Sequence, residues 1–105
     1  EQAAVQAKQF QRALDDLAKA IELNPKELTY FSELAVVNIR VGRNEEAIKV
    51  LKDALEIDPK YGEAYRLIGV AQLQLKQNKE ACASFAKAKE LGDPNVDALI
   101  EKHCK

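Results

Sequence analysis

A pattern of apolar residues, alanines and a closing proline recurs along this chain at a fixed interval. Its copies cover residues 13–25, 47–59 and 81–94, and the third copy reaches its proline one residue later than the other two. A fixed period of about 34 residues is typical of stacked supersecondary units, in which each unit buries its apolar face against its neighbours. The period therefore predicts an elongated repeat array rather than a single globular core.

Size and charge exclude several classes of protein. A chain of 105 residues is long enough for one compact unit but not for two independent domains. Its 16 basic and 17 acidic residues nearly cancel, so we expect no general attraction to nucleic acid or to anionic membranes. No apolar run approaches the ~20 residues of a membrane span, which predicts that the chain does not insert into a membrane.

Helical periodicity runs through every segment between the glycines and prolines. Gly42 predicts a helix end, and Asn44 and Asn78 are predicted to cap the helices that follow them. Connections of two to four residues should make neighbouring helices antiparallel. The sequence therefore predicts an all-α protein, with residues 1–7 as the tail of an earlier helix. The predicted helices cover residues 9–23, 28–41, 45–57, 62–75, 79–91 and 94–104.

The units resemble the tetratricopeptide repeat (TPR), whose pattern is an aromatic residue, a Leu-Gly pair, two alanines that flank a phenylalanine, and a closing proline. The third unit matches with Tyr65, Ile68, Gly69, Ala81, Phe85 and Ala88. The second matches with Phe31, Leu34, Ala35, Ala47, Leu51, Ala54 and Pro59, and the first with Phe10, Ala13, Leu17, Ala20 and Pro25. Asn38 and Gln72 depart from the pattern, since the family often has tyrosine there.

This resemblance implies a right-handed α–α superhelix, a solenoid of antiparallel helix pairs with a capping helix at its C-terminal end. Residues 1–27 would form a partial first repeat, 28–61 the second, 62–93 the third and 94–105 the cap. In the cap, Asp93 is expected to begin the helix, with Val96, Leu99 and Ile100 on its apolar side. The family's first helix would begin before Glu1, so we expect the array to continue upstream.

Residues that could carry chemistry are few and scattered. His103 and Cys104 are adjacent and would point about 100° apart on a helix, which makes a poor metal site. Cys82 is predicted to be a small core residue, with a Cys82–Cys104 disulfide as the less favoured alternative. No serine or threonine has a recognisable base, and no phosphate-binding loop occurs. We predict no metal, no cofactor and no enzymatic activity.

In the TPR family, the first helix of each repeat lines a concave surface that takes peptides or short helices. Carried over to this chain, that surface is expected to consist of Ser32, Val36, Ile39, Arg40, Glu63, Arg66, Val70, Leu73 and Gln74. Its two arginines beside apolar residues favour an apolar segment with an acidic group. One subfamily holds the acidic tails of chaperones with lysine, arginine and asparagine, but the corresponding positions here are Ser32, Val36, Glu63 and Leu67. Binding of chaperone tails is therefore not expected.

Two functions follow from the resemblance. The first is a non-enzymatic scaffold that binds a peptide or a partner protein through the concave groove. The second is a structural module that associates with further copies of itself as a homo-oligomer. The sequence does not choose between them.

Overall fold

The computed structural model describes the backbone of residues 2–105 and the side chains of residues 8–105. Across this part of the chain it contains six helices and no strand, as the sequence predicts. The second to fifth helices match the predicted bounds to within one residue. The helices are α1 (Gln2–Leu23), α2 (Leu28–Arg40), α3 (Asn44–Ile57), α4 (Gly62–Gln74), α5 (Asn78–Glu90) and α6 (Asp97–His103).

Helix α1 is longer than predicted. It runs without a break from Gln2, so residues 2–7 continue α1 and are not the tail of a separate helix, while Glu1 lies outside the described residues. Phe10 occupies the repeat position at which Asn44 and Asn78 begin α3 and α5. Asparagine favours turns and helix starts, whereas phenylalanine does not. The sequence around Phe10 therefore lacks the residue that marks the start of the corresponding helix in the later units.

The turns after α2, α4 and α5 share one backbone conformation. Each has a residue with positive φ just past the helix: Gly42 at 84°, Lys76 at 63° and Gly92 at 86°. The next amide donates to a carbonyl five residues back, as in Arg43 N to Asn38 O at 2.8 Å. This bond, typical of the Schellman motif, satisfies carbonyls that the helix end leaves free. The predicted helix end at Gly42 is confirmed.

The predicted side-chain caps are wrong. Helices α3 and α5 begin at Asn44 and Asn78 themselves, and neither start has a side-chain cap hydrogen bond. The Asn44 side chain is buried instead, and its Oδ1 has no partner among the described residues. Asp93 does not cap α6 either, because its carboxylate pairs with Arg66. Helix α6 begins at Asp97 rather than at the predicted Pro94.

Each helix packs against its neighbours in sequence, and α2 also contacts α4. Among the described helices, no comparable contact joins α1 to α3 or α3 to α5. The first helices of successive pairs therefore lie close together, whereas the second helices are spread apart. This difference curves the stack, and it places α2 and α4 on the inner, concave side.

The buried core consists largely of the small and large residues at the repeat positions of the helix pairs. Ala47, Leu51 and Ala54 of α3, and Ala81, Phe85 and Ala88 of α5, are fully buried. Gly69 of α4 lies directly against the Phe85 ring, and a Cβ at Gly69 would come within 2.4 Å of a ring carbon. Only glycine permits this approach of α4 to α5, so the close contact predicted at this position is present.

The C-terminal segment covers the outer end of the last pair. Val96 is fully buried against Ala81, Phe85 and Ala88, and Leu99 and Ile100 pack around it. Cys82 and Cys104 form a disulfide with their Cα atoms 5.7 Å apart, which corrects the prediction of a free core cysteine. The reason is spatial: α6 folds back along α5 and brings together two residues 22 positions apart in the sequence.

Candidate functional site

A cavity with a volume of about 520 Å³ lies between α1 and α2 on the concave side. Its floor is apolar and its rim carries charged and hydroxyl groups. Helix α1 contributes one wall, α2 contributes most of the other, and Glu63 of α4 closes one end. The lining residues are Ala13, Asp16, Leu17, Thr29, Ser32, Glu33, Val36, Val37, Arg40 and Glu63.

The floor of this cavity is a surface that the later pairs bury. Ala13 and Leu17 correspond by the repeat period to Ala47 and Leu51 of α3, which are fully buried. Helix α3 packs between α2 and α4, whereas α1 contacts only α2 among the described helices. Ala13 and Leu17 are consequently only half-buried. The cavity therefore lies beside α1 in the same place where α2 lies beside α3.

The rim has an excess of negative charge. Three carboxylates, those of Asp16, Glu33 and Glu63, line the cavity together with a single guanidinium, that of Arg40. The net charge of the lining is therefore −2. Asp16, Glu33 and Arg40 are exposed, and no ion pair joins any of them to another described residue. These charges are available to a ligand.

A chain of polar contacts leads from the cavity along the concave face. The Ser32 hydroxyl donates to the Tyr61 hydroxyl, which donates to Glu63 at 3.4 Å. Glu63 also lies 3.9 Å from Arg66, whose Nε donates to the nearly buried Asp93 carboxylate at 2.8 Å. Burial raises the pKa of Tyr61, and the Glu63 charge raises it further, although the bond from Ser32 works against both. Tyr61 therefore stays protonated at neutral pH and can donate to Glu63.

The structure brings four of the nine predicted groove residues together in the cavity: Ser32, Val36, Arg40 and Glu63. The other five lie elsewhere. Ile39 is buried in the core between α2, α3 and α4, and Arg66 is held by Asp93. Val70 and Leu73 are half-buried against the cluster around Phe85, and Gln74 is exposed at the end of α4.

Residues of α1 were missing from the predicted groove. Ala13, Asp16 and Leu17 form one wall of the cavity, although the sequence marked Ala13 and Leu17 only as packing positions of the repeat. Spacing along the sequence carries no signal that these positions line a cavity.

Other kinds of site have little support in the described part of the chain. Between residues 8 and 105, no three side chains of histidine, cysteine, aspartate or glutamate are grouped as a metal site would require. None of the described helices is both long and apolar enough to cross a membrane.

Comparisons with known proteins agree with the repeat pattern. A sequence profile described as a TPR repeat matches residues 39–76, and one described as a tetratricopeptide repeat matches residues 62–91. No curated protein sequence matches the chain.

Solved structures give the same fold. The TPR domain of Arabidopsis OM64 is similar with a TM-score of 0.80 and 30% identity, over 96% of this chain and 84% of that one. The Sgt2 TPR domain from Aspergillus fumigatus has a TM-score of 0.82 and 25% identity, over 98% of this chain and 71% of that one. The first TPR of Spaghetti (RPAP3), bound to the HSP90 peptide SRMEEVD, has a TM-score of 0.81 and 19% identity, over 98% of this chain and 83% of that one.

The profile matches, the OM64 likeness and the regularly repeated helix pairs lead to one assignment. The chain is an all-α solenoid that belongs to the tetratricopeptide repeat family.

Proposed function

We propose that this protein is an interaction scaffold that binds a segment of a partner protein in the cavity between α1 and α2. The observation that carries the proposal is the half-buried apolar floor around Leu17, at a position that the other two pairs bury completely. Apolar surface of this kind gains free energy when a ligand covers it. TPR domains are generally non-catalytic interaction modules, which fits the absence of a recognisable catalytic group in the sequence.

The fold itself is known to accept peptides. The Spaghetti (RPAP3) domain holds the peptide SRMEEVD, but at 19% identity that likeness supports only the fold and not the choice of ligand. The expected clamp for such acidic tails is also replaced here by residues such as Ser32 and Glu63. The ligand of this chain is therefore proposed from its own cavity rather than from that neighbour.

The proposal is tested with peptides selected by display against the protein and a variant that changes the cavity floor. Leu17→Ser should weaken the binding of most selected peptides by at least about tenfold, because it makes the floor polar. Ile57→Ser is the matched control, since Ile57 is an exposed apolar residue outside the cavity. Circular dichroism verifies that both variants remain helical, and fluorescence anisotropy gives the affinities.

Peptides that bind Leu17→Ser as tightly as the original protein would show that the cavity is not the binding site. Light scattering over a range of concentrations checks the other prediction, self-association. A mass that rises with concentration would favour that function instead.

A further inference from the structure

We propose that the Cys82–Cys104 disulfide is a redox-sensitive switch: while it is intact it holds α6 against α5, and its reduction by a dithiol releases α6 while the rest of the stack stays folded. The inference does not depend on the cavity between α1 and α2, because α6 contacts only α5 among the described helices. It is argued from what holds each end of α6, from the access of a thiol to the disulfide, and from the surface that α6 covers.

The disulfide holds the C-terminal end of α6. Cys104 directly follows this helix, and Cys82 lies about one turn into α5, with the two Cα atoms 5.7 Å apart. The segment that connects α5 to α6 lies at the other end of both helices. Helix α6 is therefore attached to α5 at one end by the chain and at the other end by the sulfur–sulfur bond.

Two contacts hold the connecting segment without help from the disulfide. The nearly buried Asp93 carboxylate accepts a hydrogen bond at 2.8 Å from Arg66 of α4. Val96 is fully buried in the cluster around Phe85. We therefore expect residues 93–96 to stay in place after reduction and to act as the hinge about which α6 moves.

Helix α6 has few other contacts that could keep it in place. None of its seven residues is buried, whereas six residues of α4 are buried. Leu99 and Ile100 are only half-buried against α5. The ion pair of Lys89 with Asp97, at 3.1 Å, joins two mostly exposed side chains and so stabilises α6 little. A helix with so little buried surface depends on the anchors at its ends.

The disulfide is accessible to a thiol reagent, because both cysteines are partly exposed. A thiolate of the dithiol attacks one sulfur, forms a mixed disulfide with that cysteine and releases the other cysteine, which takes up a proton. The second thiol of the reagent then closes the reagent's own disulfide and releases the first cysteine. In total, two electrons and two protons pass from the dithiol to the protein. An oxidised dithiol reverses the reaction.

Release of α6 would uncover apolar surface at the end of the stack. Leu99 and Ile100 pack against a cluster that includes Tyr65 of α4 and Phe85 of α5. The opposite side of α6 is exposed and largely charged. The oxidised protein therefore presents a polar surface at this end, and the reduced protein would present the apolar surface that α6 had covered.

The test measures amide hydrogen exchange by mass spectrometry, with and without dithiothreitol. Cys82→Ser combined with Cys104→Ser gives a protein that cannot form the disulfide. The matched control is Ala83→Ser with Ala98→Ser, which places serines at exposed neighbouring positions of the same two helices and keeps both cysteines. Alkylation of each unreduced sample in denaturant counts its free thiols, and circular dichroism measures its helix content.

We expect dithiothreitol to speed the exchange of the α6 amides at least about tenfold in the original protein and in the control variant. The amides of α2 to α5 should remain protected, and reoxidation should restore the slow exchange of α6. In the variant without cysteines, α6 should exchange quickly with or without the reagent.

Three results would overturn the inference. Free thiols in the untreated protein would show that the disulfide does not form. Slow exchange of α6 after reduction would show that other contacts suffice to hold it. Loss of protection in all helices together would show that the disulfide stabilises the whole stack and does not control α6 separately.

Discussion

The α2–α3 pair and the α4–α5 pair occupy equivalent positions in the repeat, yet they fill their shared contact with different residues. In the first pair, Ala35 packs in a cluster with Leu51, so the helices are separated by two residues of moderate size. In the second pair, Gly69 lies against Phe85, where even a methyl group would collide with the ring. The summed volume of the two side chains is similar in both pairs, but it is divided differently between the two helices.

The two helix pairs also differ in whether their polar side chains at equivalent positions form hydrogen bonds. In the α4–α5 pair, the Ser84 hydroxyl donates to Gln72 at 2.7 Å. The equivalent positions of the α2–α3 pair hold Val50 and Asn38, and the buried Asn38 Oδ1 has no partner among the described residues. The Asn38 amide group donates to Leu34 O at 3.2 Å, so only half of this side chain is satisfied. An unpaired buried carbonyl typically costs about 1–3 kcal/mol.

The side-chain contact between the first helix of each pair and the loop that follows the second helix also differs. Ser32 bonds to Tyr61 beyond α3, and Arg66, at the same repeat position as Ser32, bonds to Asp93 beyond α5. One link is between neutral hydroxyls and the other is an ion pair. In both pairs, the first helix is therefore joined to the loop that follows the second helix, but the chemical groups that join them differ.

The largest expected effect concerns the disulfide, which α5 has and α3 lacks because Ile48 stands in place of Cys82. Replacing both cysteines by alanine should lower the free energy of unfolding by about 3 kcal/mol, the value expected from loop closure over 22 residues. Urea denaturation followed by circular dichroism measures it. A dithiol reductant should destabilise the original protein by a similar amount and leave the variant unchanged. An original protein that is insensitive to the reductant would contradict the disulfide.

The next largest effect is expected when the Gly69–Phe85 contact is changed into the Ala35–Leu51 contact of the other pair. Gly69→Ala should cost about 1–3 kcal/mol because the new methyl group collides with the Phe85 ring. Gly69→Ala combined with Phe85→Leu recreates the Ala35 and Leu51 arrangement and should cost less than the sum of the single changes by at least about 1 kcal/mol. Denaturation of all four proteins gives this coupling. Additive costs would mean that the two contacts are not equivalent.

The smallest effect concerns the turns after α2 and α4. Gly42 and Lys76 occupy the same repeat position and both have positive φ, which is unfavourable for lysine. Lys76→Gly should stabilise the protein by about 0.5–1 kcal/mol, and Gly42→Lys should destabilise it by a similar amount. Thermal unfolding measures both as opposite shifts of Tm. Shifts of the same sign would show that the two turns are not interchangeable.

Local patterns were sufficient for most of the fold. The repeat period indicated the helix pairs, and the small residues at Ala35 and Gly69 marked the close contacts, because both depend on spacing along one helix. The continuous α1 and the pairing of Asp93 with Arg66 were not predicted, and the disulfide was only the less favoured alternative. Each of them depends on which segments meet in space, or on competition between two partners for one group.

The candidate site was predictable to the extent that it follows the repeat. Ser32, Val36, Arg40 and Glu63 share a register on α2 and α4, and the family pattern placed them on the concave side. The wall from α1 and the charge of the rim were missed. The wall depends on what packs next to α1, and the charge of the rim depends on whether Arg66 is already paired. Spacing along the sequence shows neither.

The contacts of Tyr61 connect the cavity to the stability of the protein at alkaline pH. Its pKa is raised in the folded state, mainly by burial, whereas an unfolded tyrosine ionises near pH 10. Below pH 10 both states keep the proton, so this residue adds no dependence on pH there. As the pH rises further, the unfolded chain loses its proton first and stability falls until the folded phenol also ionises. Because Tyr61 bonds to both Ser32 and Glu63 of the cavity lining, a ligand that changes the charge around Glu63 would shift that ionisation, and phenol titration and ligand binding become linked equilibria.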